Sequence, residues 1–352
     1  MKARISLLLI SASVAAFTAL GGPAAAAPTV EARLVAGGLD APVAFTFGPS
    51  DTLWYVEKGS GEIRTIDLST GRDTLFARVP GVDASGERGM LGIALHPRFP
   101  SEPFVYVYVT RSAGGRLRNQ ILRIDEDGRR VIFSSPASPS AYHNGGRILF
   151  GPDDMLYAVV GDGHAPAHSQ DPSDHRGKIL RMTPRGKIPP SNPRDSLVFA
   201  SGIRNSFGLA FDPLTGRLWE TENGPECNDE VNRIRAGRNY GWGPSATCEG
   251  DGAATTNRDG PRPVRPELLY PQPIGITGIA FCHGCGLGEG RAFFGAVNTG
   301  AITRVALDPR RMTVERRAVA YEHVRGVLSV EVGPDGSLYF SDMTAIWRLA
   351  RA

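Results

Sequence analysis

The chain has 352 residues, with 39 Lys and Arg against 36 Asp and Glu and a formal net charge of +3. That near-balance gives no electrostatic case for a nucleic-acid or membrane partner, and the length is ample for a large buried core. Glycine (43) and proline (27) are abundant, as expected of many short strands joined by turns.

The first 27 residues read as a leader. Lys2 and Arg4 make a positive start, residues 5–20 an apolar core, and residues 23–27 a small-residue cleavage site. The leader carries no acid, so its removal lowers the charge from +3 to +1. No later apolar stretch is long enough to span a bilayer, and no cysteine stands at the cleavage point for a lipid anchor. The expectation is an exported protein, extracellular or periplasmic, a monomer or homodimer, with no membrane or nucleic-acid partner. Residues 28–352 are expected to form one domain.

After the leader one pattern recurs: an apolar strand, a Gly/Asp/His-Pro turn, a strand with Leu or Val before Tyr or Trp, and a strand ending near Ile-x-Arg. Copies occupy residues 45–67, 93–125, 148–183, 209–235, 279–307 and 330–350. Their starts are separated by roughly 50 to 70 residues, which suits a four-stranded blade with insertions. The predicted fold is therefore all-β, a six-bladed β-propeller. Alternate residues such as Leu156, Ala158 and Val160 should pack between blades. Residues 32–36 are expected to complete the last blade, because a ring closed by a terminal strand leaves no loose edge. Gly/Pro-rich insertions at 164–175, 184–197 and 243–275 read as loops on the propeller faces.

Four cysteines are present: Cys227, Cys248, Cys282 and Cys285. In an exported chain the default is two disulfides, with Cys227–Cys248 and Cys282–Cys285 the favoured pairing of three. The rival is a four-thiolate zinc site.

Residues 201–242 concentrate the candidate chemistry. Apolar runs at 207–211 and 217–220 flank the turn at 212–216 and predict a hairpin. The reading places Arg204 and the acidic, oxygen-rich loop containing Asp229 and Glu230 at opposite ends of that unit. Oxygen ligands of this kind suit Ca²⁺, while a solvated acidic turn is the plain alternative. The Arg204 guanidinium could stabilise a developing oxyanion or make a salt bridge between blades. His143, at a loop-to-strand junction, is a candidate general base or a loop histidine bonded to backbone.

The stretches GIRNSFGLAFDP, ENGPECNDEVN and GRNYGW resemble the signature of the soluble glucose/sorbosone dehydrogenase family. GERGMLGIALHPRF (86–99), HNGGRILFGPDDMLYAVVGDG (143–163) and HRGKILRMTP (175–184) are similar to it as well. The resemblance implies a secreted aldose dehydrogenase using pyrroloquinoline quinone (PQQ) and Ca²⁺, with a small sugar as substrate and an unknown electron acceptor. It implies that His143 is the catalytic base and that Arg204 faces the quinone. It further implies that Glu87 and Asn205 contact the cofactor and that Asp162 is adjacent to the site. The carbonyls of Gly224 and Pro225 would hold Ca²⁺ at the quinone. Asp229, Glu230 and the Tyr240 carbonyl would form a second, structural Ca²⁺ site.

The chain departs from the family pattern at three basic positions, which carry Asn298, Gly326 and Leu328; Arg325 stands one residue out of register as a possible substitute. PQQ carries three carboxylates, whose burial needs cationic partners. Two other readings therefore stand beside the dehydrogenase. One is a non-enzymatic propeller binding carbohydrate or protein; the other is a Ca²⁺-dependent lactonase or hydrolase.

Overall fold

The computed structural model describes residues 30–249 and 256–351; the expected leader lies outside the described residues. Strand β1 (Val30–Gly37) comes first. Blade one follows with β2 (Ala44–Gly48), β3 (Thr52–Val56), β4 (Glu62–Asp67) and β5 (Asp73–Arg78). Blade two has β6 (Met90–Leu95), β7 (Val105–Ala113), β8 (Arg116–Asp125) and β9 (Gly128–Pro136). Blade three has β10 (Ile148–Phe150), β11 (Leu156–Val160), the one-turn helix α1 (Ala167–Gln170), β12 (Lys178–Met182) and β13 (Val198–Ser201). Blade four has β14 (Ser206–Phe211), β15 (Leu218–Glu222), β16 (Asp229–Ile234) and β17 (Leu268–Tyr270). Blade five has β18 (Ile276–Phe281), β19 (Ala292–Ala296), β20 (Ala301–Leu307) and β21 (Val314–Glu322). Blade six has β22 (Ser329–Val332), β23 (Leu338–Ser341) and β24 (Ala345–Arg351), completed by β1, which pairs antiparallel with β24. The fold is thus a six-bladed β-propeller, closed by its first strand as expected.

The second strand of a blade is buried on both faces, and its period of two divides it between neighbours. Leu156, Ala158 and Val160 pack toward blade two, while Tyr157 and Val159 pack toward blade four. Similar apolar seams join the other blades, for example Phe293 with Leu338 and Phe340 between blades five and six. Burying one such phenylalanine stabilises the fold by about 1.5–3 kcal/mol. The recurring sequence pattern captured the three inner strands of each blade. Apart from β1, it missed the outer ones: β5, β9, β13, β17 and β21. β5 and β21 show why, since most of their side chains are exposed and carry little apolar alternation.

The inner strands line the ring axis, where Arg147, just before β10, ties the blades together. Its guanidinium donates to the carbonyls of Phe207, Val43 and Leu328 and to Ser329 Oγ, in or beside blades four, one and six. Burial lowers its pKa, an effect opposed by Glu331. Burial also pushes the Glu331 carboxyl up to about 7, despite Arg147. Both groups line an axial cavity of about 870 Å³ on the face that carries Pro49, Pro97, Pro213 and Pro334. No helix among the described residues is long and apolar enough to cross a membrane.

Both favoured disulfides are formed, Cys227–Cys248 and Cys282–Cys285, so no thiolate remains for zinc.

Candidate functional site

The loop entering blade three holds His143 in a left-handed backbone conformation, with φ of 57°. Such a conformation costs a non-glycine residue about 1–3 kcal/mol and persists where its surroundings hold it. The surroundings here are tight. Gly161 lies so close that a Cβ there would stand 2.3 Å from the His143 carbonyl oxygen. The His143 N–H donates to Glu87 Oε2 at 2.7 Å, and Asn205 Nδ2 donates to the same oxygen at 2.9 Å. Asn205 Oδ1 in turn accepts from the Gly145 N–H. Glu87 and Asn205 therefore clamp the histidine loop from blades two and four.

The imidazole is buried, and its Nδ1 lies 2.7 Å from Asp162 Oδ1. Asp162 Oδ1 also accepts from the His164 N–H, and Oδ2 accepts from Trp242 Nε1 at 2.8 Å. Burial alone would raise the Asp162 carboxyl, but the bonds from His143, Trp242 and His164 outweigh it and hold the group below the usual carboxylate range. An ionised Asp162 fixes the proton on His143 Nδ1 and leaves Nε2 as the acceptor. The tautomer follows from the partner's charge rather than from observed hydrogens.

Arg204 and the loop at Asn223 stand together at one end of the blade-four hairpin, not at opposite ends as the sequence reading placed them. The reason is antiparallel pairing: Ser206, at the start of β14, faces Glu222, at the end of β15. The Arg204 backbone N–H donates to Glu222 Oε1, and Nη1 donates to the Asn223 carbonyl at 2.9 Å. Its guanidinium lies 5.3 Å from the Trp242 ring centre, so one tryptophan touches both the cation and the histidine's carboxylate. Burial lowers the Arg204 pKa, against the opposing charges of Asp162, Glu222, Glu87 and Asp229. Arg204 Nε is buried with no hydrogen-bond partner. A half-satisfied buried cation beside an oriented histidine can stabilise negative charge as it develops on a bound group.

The predicted metal ligands divide. Asp229 Oδ1 accepts from the Gly224 N–H, and Oδ2 accepts from the N–H groups of Ile274, Gly275 and Ile276. Its carboxylate thus ties the Gly224 loop and the 274–276 segment to the start of β16. Glu230 instead faces Glu222 across the strand pair, with Asn232 Nδ2 bonded to both Glu220 and Glu230. Burial pushes Glu220 up to about 8 and Glu230 up to about 7, and it raises Glu222 well above the carboxylate range. Glu220 Oε1, Glu222 Oε2 and Asn232 Oδ1 are buried without partners. No protein donor reaches the Gly224 and Pro225 carbonyls among the described residues. Unclaimed oxygens of this kind suit a hard cation. Among the described residues, however, no three His, Cys, Asp or Glu side chains stand in a metal-holding group. An ion here would need backbone carbonyls; Tyr240, whose carbonyl the resemblance implies as a ligand, is buried.

The basic residues of the expected cofactor pocket are fewer than in the family pattern. Arg325 is 56 % exposed at its side chain, donates to Thr344 Oγ1 and stands by Asp342 of blade six. Asn298 is exposed. Gly326 has no room for a side chain, since a Cβ would meet the Val297 carbonyl oxygen at 2.4 Å. The carbonyl of Leu328 serves Arg147. The available cations are Arg204, which the sequence reading named, and Lys58, which it missed. Lys58 donates to the Ala84 carbonyl, and burial lowers its pKa against Asp40, Asp83 and Glu87. Arg204 with its free Nε, Lys58 and the unclaimed carbonyls fit an anionic quinone held through a divalent cation. Trp242 was also missed in its role; its signal was only its place in GRNYGW. Glu220 and Glu222 were legible as acids two apart on a buried strand, which places them on one face.

A six-bladed propeller with a buried His–Asp pair beside a buried arginine is the class that this fold and site define. The chain belongs to the glucose/sorbosone dehydrogenase family, whose model matches residues 39–348. It is 27% identical to the aldose sugar dehydrogenase YliI of Escherichia coli, over 90% of both chains. It is 32% identical to quinoprotein glucose dehydrogenase B of Acinetobacter calcoaceticus, over 60% of this chain and 52% of that one. Its fold matches the PQQ-bound aldose sugar dehydrogenase of Streptomyces coelicolor with a TM-score of 0.78 and 31% identity, over 92% of this chain and 99% of that one.

Proposed function

We propose that this chain is an exported, Ca²⁺-dependent dehydrogenase that oxidises the anomeric hydroxyl of an aldose to a lactone, with PQQ as its cofactor. The observation that carries the reading is the oriented pair of His143 and Asp162 beside the half-satisfied cation of Arg204. Bound PQQ would supply the two-electron acceptor that no side chain provides. His143 Nε2 accepts the anomeric hydroxyl proton, and Asp162 stabilises the resulting imidazolium. Arg204 supplies positive charge to the anionic cofactor. Glu87 and Asn205 keep the histidine loop in place. The Gly224 and Pro225 carbonyls would hold the catalytic Ca²⁺, while Glu230 and the Tyr240 carbonyl would hold a structural one. Export is supported by the leader composition and both disulfides.

Asn298, Gly326 and Leu328 support the rival reading, a propeller that binds carbohydrate without turning it over. The deciding experiment adds Ca²⁺ and PQQ to the purified protein, then records the absorbance spectrum and aldose-dependent dye reduction. The dehydrogenase reading expects both signals, with His143→Ala keeping the spectral change and losing turnover. No spectral change at saturating Ca²⁺, together with no dye reduction, refutes it.

A further inference from the structure

At the outer rim of the seam between blades five and six, apolar packing gives way to a cluster of arginines. Arg304 of β20 pairs with Ala318 of β21, and Ala306 pairs with Arg316. Residues two apart on a strand share a face, so these four lie on one side of the sheet. Phe293, opposite Arg304, extends that face into the core between the blades. The two alanines leave room between the two long side chains. Arg291 and Arg304 flank Gly288, where a Cβ would lie 3.0 Å from Arg291 Cγ and 3.8 Å from Arg304 Cδ. Arg351, at the end of β24, closes the seam from blade six.

The resulting cleft has a volume of about 390 Å³, and no acidic side chain lines it. Among the described residues, the guanidinium groups of Arg291, Arg304, Arg316 and Arg351 have neither an ion pair nor a hydrogen bond. By contrast, Arg311, Arg181 and Arg64 pair with Asp212, Asp153 and Glu62. Four cations gathered without a counter-charge repel one another, and the net charge of the whole chain is only +3, so the clustering is local. Guanidinium forks match the planar oxygens of carboxylate, sulfate and phosphate, and the cleft has the size of a small-molecule site.

We propose that this seam binds a small polyanion bearing at least two phosphate, sulfate or carboxylate groups. The site is separate from the His143 centre. Isothermal titration of the full chain at about 0.15 M salt tests it, where screening removes diffuse attraction beyond about 8 Å. The probes are tripolyphosphate, sucrose octasulfate and trigalacturonate, and the one that binds identifies the recognised group. Saturable binding at one site per chain is expected for at least one probe. The double substitution Arg304→Gln, Arg316→Gln should weaken it about tenfold or more, while Arg116→Gln in blade two leaves it unchanged. If the double variant loses the parent's melting transition, Arg291→Gln with Arg351→Gln tests the other wall in the same way. No saturable binding by any probe, or equal affinity in parent and folded variant, overturns the proposal.

Discussion

Replacing Asp162 by Asn isolates the role of the carboxylate behind His143. The side chain is fully buried and accepts from three donors: His143 Nδ1–H, the His164 N–H and Trp242 Nε1–H. An amide offers one accepting oxygen, and its NH₂ must face a donor on the other side. In one orientation Trp242 loses its partner; in the other, His143 is driven to the wrong tautomer. Losing a charge-assisted bond and orphaning one buried donor together cost about 2–4 kcal/mol. Unfolding entropy of about 2.1 cal/mol/K per residue over roughly 320 residues converts that to a fall in Tm of about 3–6 °C. Turnover should fall further than stability explains, by about 10²- to 10⁴-fold, because the base loses its orientation. The assay is dye-coupled aldose oxidation across pH, with melting measured in parallel. Asp162→Asn combined with His143→Ala should cost little more than His143→Ala alone. Turnover within about threefold of the parent, or a double variant much slower than His143→Ala alone, would refute the positioning role.

Glu331→Gln tests the axial pair. A carboxyl raised in the folded protein holds its proton more tightly there than in the unfolded chain, so stability is highest below the unfolded pKa and falls as pH rises toward about 7. The substitution should leave Tm unchanged near pH 4 and raise it at pH 8, by the equivalent of about 1–3 kcal/mol after allowing for solvent in the channel; an equal effect at both pH values would contradict the linkage. Arg147→Met should cost about 3–5 kcal/mol in denaturant unfolding, because it strips three carbonyls and Glu331 of their cation. Ca²⁺ should raise Tm over a chelator control in the parent and raise it less in Glu230→Ala, since each ion bound only by the native state shifts unfolding by mass action; identical melting with and without Ca²⁺ in the parent removes the structural ion. Opening the Cys227–Cys248 loop, with a sequence separation of 21, by a double Ser substitution should cost about 3 kcal/mol by chain entropy, read from the denaturant midpoint.

The sequence by itself determined the architecture. Strand alternation and Pro turns repeat locally, and burial on both faces of Leu156–Val160 enforces the alternation whatever lies far away. The closing strand and both disulfide pairs were legible for the same reason, since edges and thiols admit few solutions. The outer strands β5 and β21 were not, because solvent accepts almost any side chain there. His143 and Arg204 stood out by resemblance, but their partners did not. Glu87 meets Asn205 across 118 residues of chain, and Asp162 meets Trp242 across 80. No local pattern encodes such a contact, because it depends on which blades the closed ring brings side by side. Antiparallel pairing likewise decided that Arg204 and Asn223 share one end of their hairpin. Asp229 and Glu230 are adjacent in sequence, so they point to opposite faces of β16. Only the tertiary structure shows that one is saturated by backbone N–H groups while the other enters a buried cluster with unclaimed oxygens.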